Sequence, residues 1–79
     1  MITVRWFGGA AEAAGTEEET YPSGPLGEVL AAARDRHGPA LSRVLPRCAL
    51  LVDGVHAGDG DPVVPPGATL DVLPPFAGG

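Results

Sequence analysis

Pro25-Leu26-Gly27-Glu28-Val29-Leu30-Ala31-Ala32-Ala33-Arg34-Asp35-Arg36-His37-Gly38-Pro39 is the stretch on which the reading of this fold turns. Leu26, Val29, Leu30 and Ala33 follow the i, i+3, i+4, i+7 spacing of one buried helical stripe. Pro25 sits near the first helical position, where its missing N–H costs nothing, and Ser23 or Gly24 is the expected cap. Arg34, Arg36 and His37 fall in the last turn, where cations oppose the helix dipole. Gly38 and Pro39 stop the helix.

On the N-terminal side, Ile2 to Phe7 alternates, with Ile2, Val4 and Trp6 toward one face and Thr3, Arg5 and Phe7 toward the other. This is the period of a half-buried strand, and Gly8-Gly9 end it. Ala10 to Gly15 reads as a hairpin connection or a short helical turn. Thr16 to Tyr21 reads as a second strand, because the turn cluster Pro22-Ser23-Gly24-Pro25 follows it. Its run Glu17-Glu18-Glu19 is expected to be a solvated edge that discourages edge-to-edge pairing.

On the C-terminal side, Ala40 to Leu45 suggests a helical turn closed by Pro46. Cys48 to Asp53 is another alternating strand, with Cys48, Leu50 and Val52 inward and Ala49, Leu51 and Asp53 outward. Asp53-Gly54 signals a tight turn into a short strand at Val55-His56. Gly58 to Pro62 and Pro65-Pro66-Gly67 are loops. Thr69 to Leu73 is the last strand, with Leu70 and Val72 inward. The order β-β-α-β-(β)-β predicts an α+β fold of the β-grasp, ubiquitin-like kind. It has a mixed sheet of four to five strands, one main helix on one face, and the first and last strands parallel at the centre.

The chain has 79 residues. That is enough for one domain, and a core of this size supplies only about 3–5 kcal/mol of net stability. A deep catalytic cleft would consume much of such a core, so a carrier or binding module is expected rather than an enzyme. We take residues 1–75 as the domain and 76–79 as a flexible tail. Ten acids stand against five bases, all arginine, for a net charge of −5. With no basic cluster, nucleic acid is not an expected partner. Cys48 is the single cysteine, so neither an internal disulfide nor a cysteine-based zinc site is expected. Met1 to Phe7 lacks the pattern of a secretory signal. The longest apolar run, Cys48 to Val52, is far too short to span a membrane. A cytoplasmic protein without metal or permanently bound cofactor is the expectation.

The end of the chain is Leu73-Pro74-Pro75-Phe76-Ala77-Gly78-Gly79. Two prolines end sheet pairing and send the backbone outward in an extended form. Ala77, Gly78 and Gly79 carry almost no side chain, so such a tail can thread a narrow channel and approach a nucleotide closely. The terminal carboxylate is the group with covalent potential. Attack on the α-phosphorus of ATP would give an acyl-adenylate, and sulfur from a persulfide would convert it toward a thiocarboxylate. Lysine is absent from the chain, so the activated tail has no lysine of its own to attack.

These features resemble the MoaD/ThiS sulfur carriers, most closely the small subunit of molybdopterin synthase. The likeness runs the whole length. It rests on Ile2-Thr3-Val4-Arg5-Trp6-Phe7, the acidic second strand, the helix Leu26 to His37, the Leu51-Val52-Asp53-Gly54 turn and above all Leu73 to Gly79. The resemblance implies a non-catalytic carrier. Its terminal glycine is adenylated, at the expense of ATP, by an E1-like, MoeB-type adenylyltransferase and then thiocarboxylated. The tail next enters the MoaE-type large subunit of a heterotetramer. These roles fall here on Gly79 and Gly78. Related carriers serve thiamine thiazole, cysteine, siderophore or thiosugar synthesis. A ubiquitin-like modifier of other proteins and a plain interaction domain are the other readings.

Arg5, Phe7, Leu51 and Leu73 are expected on the outer sheet face as a docking patch. Pro74, Pro75, Phe76 and Ala77 lead from it to the reactive end. Phe76 would anchor the tail in a partner groove or fold back onto the domain. Cys48 is expected to be inert packing. His37 reads as a helix-terminal cation and His56 as a surface turn residue. Asp59 and Asp61 lack the remaining ligands of a calcium loop.

Overall fold

The computed structural model describes residues 1–58 and 60–75. Its elements are β1 (Ile2–Trp6), α1 (Gly8–Ala14), β2 (Glu18–Tyr21), β3 (Gly24–Pro25), α2 (Leu26–His37) and α3 (Pro39–Val44), then a 3₁₀ turn (Leu45–Arg47), β4 (Ala49–Val52), β5 (Val55–His56), β6 (Val63–Val64) and β7 (Thr69–Leu73). The main sheet has the order β2-β1-β7-β4-β5, and β3 pairs with β6 in a separate two-stranded ladder. β1 and β7 run parallel at the centre, with Val4 opposite Leu70 and Trp6 opposite Val72. Their outer neighbours β2 and β4 are antiparallel to them. This is the mixed sheet expected for a ubiquitin-like β-grasp fold.

Alternation decides which side chains are buried. Ile2, Val4 and Trp6 of β1, Tyr21 of β2, and Leu70 and Val72 of β7 all point into one core. Leu26, Val29 and Ala33 of α2 meet them there, while Leu30 lies at the core's margin. The segment after β1 is a full helix, not a hairpin connection, and it buries Ala10 and Ala14. Alanines on that face let α1 lie close to the sheet and to α3, whose Leu41 is completely buried. Among the described residues, α1, α2 and α3 therefore share the covered face. The expected turn before Pro46 is α3, and Pro46 sits within the 3₁₀ turn that follows it.

The cap of α2 differs from expectation. Pro25 occupies the N-cap position and offers no side-chain hydrogen bond, so neither Ser23 nor Gly24 serves. The unpaired amides are met from a distant loop instead. Asp61 Oδ1 accepts from the Gly27 N–H at 2.6 Å, and the Pro62 carbonyl accepts from the Leu26 N–H at 2.9 Å. A carboxylate here also opposes the positive end of the helix dipole. Gly27 makes the approach possible, since a Cβ there would lie 3.3 Å from Asp61 Oδ1. Asp53 has a φ of 48° and Gly54 one of 81°, which gives the tight β4–β5 turn expected from Asp-Gly. Asp53 Oδ1 also accepts from the Thr69 N–H at 2.9 Å, tying that turn to the start of β7.

Glu19 and His37 hold unexpected positions. Glu19 is not a solvated edge residue: its side chain is 13 % exposed. It accepts from Trp6 Nε1 at 3.0 Å, Tyr21 Oη at 2.7 Å and Arg36 at 3.2 Å, and it pairs with His37 Nε2. Alternation explains this, because Glu19 lies opposite Val4 and shares its inward direction. Burial alone pushes the Glu19 carboxyl up, but hydrogen bonds from His37, Tyr21 and Trp6 outweigh it and hold the carboxyl below its ordinary value. Burial, then the Glu19 bond, pushes the Tyr21 phenol well above its ordinary value. His37 stacks edge-on against Trp6, so its ring is part of the packing at the end of α2.

Candidate functional site at the root of the C-terminal segment

Because β7 is the middle strand, the segment after Leu73 leaves the centre of the sheet rather than an edge. The Phe7 N–H donates to the Val72 carbonyl at 3.1 Å, closing the ladder at the point of departure. Pro74 then contacts the start of α1. Gly8 has a φ of +51°, and a Cβ there would come within 3.2 Å of Pro74 Cγ. Glycine at position 8 serves two needs: the left-handed backbone that turns β1 into α1, and the close seat of the tail root.

Around this root runs an apolar groove of about 840 Å³. Phe7, Leu73, Pro74 and Pro75 line it from the sheet side, with Gly8 and Gly9 at the head of α1. Arg43 and Val44 of α3 and Arg47 of the 3₁₀ turn line it from the other side. Phe7 is 37 % exposed, a large apolar surface for so small a domain. No acid is among these lining residues, although the chain carries ten.

Of the expected docking residues, Phe7, Leu73, Pro74 and Pro75 come together here. Arg5 stands beside them, its guanidinium carbon 5.6 Å from the centre of the Phe7 ring. It is held by a two-pronged pair with Asp71, at 2.6 and 2.9 Å. Leu51 does not join the groove. It lies opposite Asp71 and His56 in a cross-strand row, Glu18–Arg5–Asp71–Leu51–His56, that makes much of the outer face polar. Phe76, Ala77, Gly78 and Gly79 lie outside the described residues, as does Asp59. Sequence reading missed Arg43, Val44 and Arg47. Nothing in their spacing marked them, because their place beside Pro74 depends on how α3 packs against α1.

Cys48 is half-buried, its thiol donating to the Val44 carbonyl at 3.3 Å. Burial pushes the thiol above its ordinary value, which disfavours a reactive thiolate. His56 Nδ1 accepts from the Gly58 N–H, as a turn residue would. Among the described residues no cluster of three His, Cys, Asp or Glu is placed to hold a metal. No described helix is long and apolar enough to cross a membrane.

Fold and groove together define a ubiquitin-like β-grasp domain whose C-terminal segment departs from the central strand. The chain belongs to the ThiS family, whose model matches residues 4–79. Among solved structures it is similar to small archaeal modifier protein 1 from Haloferax volcanii, with 28 % identity and a TM-score of 0.78, covering 99 % of this chain and 98 % of that one. Small archaeal modifier protein 1 from Methanosarcina acetivorans has the same fold at 24 % identity and a TM-score of 0.85, covering 99 % and 95 %. So does a chain in the complex of subunits 1 and 2 of molybdopterin-converting factor from Helicobacter pylori 26695, at 23 % identity and a TM-score of 0.74, covering 99 % and 97 %. Among curated proteins none matches the chain.

Proposed function

We propose that this protein is a non-catalytic sulfur carrier that works through the carboxylate of Gly79 and donates sulfur in molybdopterin synthesis as the small subunit of a two-part synthase. The observation that carries the reading is the ThiS-family match, which runs through Gly78 and Gly79. The root of that segment sits at the centre of the sheet beside an apolar groove, which suits a tail handed between partners. The likeness to a chain of the H. pylori two-subunit complex favours a MoaE-type partner.

In this reading an E1-like, MoeB-type partner binds ATP, and a Gly79 carboxylate oxygen attacks its α-phosphorus, expelling pyrophosphate. The terminal sulfur of a persulfide then attacks the acyl carbon and AMP leaves. A thiol cleaves the resulting S–S bond, forming a disulfide with the donor's sulfur and freeing the thiocarboxylate. The domain supplies the grip and its partners supply the catalytic groups. No cofactor resides on the chain.

Intact-mass measurement after incubation with an E1-like partner, ATP and a sulfur donor tests this. A gain equal to sulfur replacing oxygen at Gly79 supports the carrier. No change with an active E1-like partner from the same genome overturns it. The likeness to small archaeal modifier protein 1 favours a second reading, attachment of the activated tail to lysines of other proteins. Conjugates on foreign lysines in the same assay would identify that activity. Sulfur delivery to a thiazole or to another metabolite is distinguished by which acceptor protein discharges the thiocarboxylate.

A further inference from the structure

The groove at the tail root carries charge information that its apolar floor does not. The chain is acidic overall, at −5, yet two of its five arginines, Arg43 and Arg47, line this one groove. Of the others, Arg5 is engaged by Asp71 and Arg36 by Glu19. Among the described residues neither Arg43 nor Arg47 meets a carboxylate, and both are exposed. Placed on consecutive turns of α3 and the 3₁₀ segment, they face Phe7, Leu73 and Pro74 across the groove. An apolar floor bordered by guanidinium groups selects a ligand that is itself apolar and anionic.

We infer that this groove is the docking site for a partner-protein segment carrying a large apolar side chain flanked by carboxylates. The apolar side chain sits against Phe7, Val44 and Leu73, and the carboxylates take Arg43 and Arg47. Such a segment lies alongside Pro74, so a bound partner receives the tail as it leaves the sheet. Anionic recognition also explains how an acidic carrier approaches a partner that presents acids: the attraction is local, at the tail root, and guides the docking register. The inference builds on the carrier reading by naming the chemistry of the partner. Its test does not use the tail's chemistry.

The test is amide chemical-shift titration of the full chain with a short synthetic amphipathic peptide, leucines on one face and glutamates on the other, against its lysine counterpart. Shifts from the glutamate peptide should concentrate at Phe7, Val44, Arg47 and Leu73, and the lysine peptide should leave them in place. R43E/R47E should weaken glutamate-peptide binding by about tenfold at low salt, and R34E, an exposed arginine away from the groove, by far less. Raising salt should weaken binding to the unaltered chain, a check independent of how the double variant folds. Equal shifts from both peptides, or no shift at the groove, overturn the inference. Two outcomes would show another occupant and overturn it as well. Groove shifts on concentrating the protein alone would mark a second copy. Groove shifts on removing Phe76–Gly79 would mark the chain's own tail. If the glutamate peptide binds while Gly79 never becomes thiocarboxylated, the groove stands and the carrier reading falls.

Discussion

Removing the Glu19 carboxylate should cost this domain most of its stability. Trp6 and Tyr21 are each 2 % exposed, and both direct their polar hydrogens at Glu19 Oε1. Glu19→Ala leaves those donors without a protein acceptor and removes the counter-charge of Arg36 and the partner of His37. Each orphaned buried donor costs about 1–2 kcal/mol, so the total is about 2–4 kcal/mol. Against about 3–5 kcal/mol for a domain of this size, that is a large share. With about 4–8 °C per kcal/mol, the melting temperature should fall by roughly 8–32 °C. Glu19→Gln keeps the volume and one acceptor but loses the charge, and should cost about 1–2 kcal/mol.

Trp6 is the only tryptophan, so its fluorescence in thermal and urea melts reports on the network directly. The same variants test the pH dependence. The folded state holds the Glu19 carboxyl below its ordinary value of 4.5, so in acid the unfolded chain binds the extra proton. The stabilisation is fully present above the unfolded value and is lost as pH falls through the folded one. Glu19→Gln should therefore flatten that acid limb. An Ala variant that melts within about 2 °C of the unaltered chain, well short of the loss worked out above, would refute the burial argument. An acid limb unchanged in the Gln variant would refute the charge argument.

Other substitutions probe the remaining joints. Gly8→Ala must place a side chain in left-handed backbone and against Pro74; it should cost about 1–2 kcal/mol and shift the Pro74 resonances in carbon-detected spectra. Asp61→Ala removes the distant cap of α2 and should cost about 1 kcal/mol, with loss of amide protection at Gly27 in hydrogen exchange. Deleting Gly79 should abolish thiocarboxylate formation and leave the melting curve unchanged; a large fall in melting temperature would mean that the segment belongs to the core. Leu73→Glu places a carboxylate in the groove and should weaken partner binding measured by calorimetry while adenylation by excess E1-like enzyme persists. The Cys48 thiol should react with a disulfide reagent at pH 7 more slowly than an exposed cysteine in a short peptide, because burial pushes it up and keeps it protonated.

Much of the architecture was legible because it depends on local pattern. Period-two alternation marked β1, β4 and β7, the Leu26–Ala33 stripe marked α2, and Asp53-Gly54 marked its turn, since backbone geometry at each depends on the residues themselves. The prolines after Leu73 likewise showed where the sheet had to end. What sequence left open were contacts made across the fold. The alternation that turns Val4 inward also turns Glu19 inward, where it is partly buried, yet its acidic neighbours made it look like a solvated edge. Only the packing of α2 against β1 and β2 reveals the donors that hold a carboxylate there.

The sequence by itself determined the order of β1, β2, α2, β4, β5 and β7, the inward faces of β1, α2 and β7, and a small-residue C-terminal segment, because these follow from periodicity, chirality and proline chemistry along a short stretch of chain. The ladder that pairs Gly24-Pro25 with Val63-Val64 was not legible in it. The tertiary structure decided which distant residues became neighbours: Asp61 at the head of α2, Pro74 on Gly8, and Arg43 and Arg47 beside Phe7. The meeting at Asp61 is set by the bare backbone of Gly27, and those at Pro74 and the two arginines by how close α1, with its buried alanines, lies to the sheet and to α3. Close packing of that kind is a property of the whole core and is not encoded at any one position.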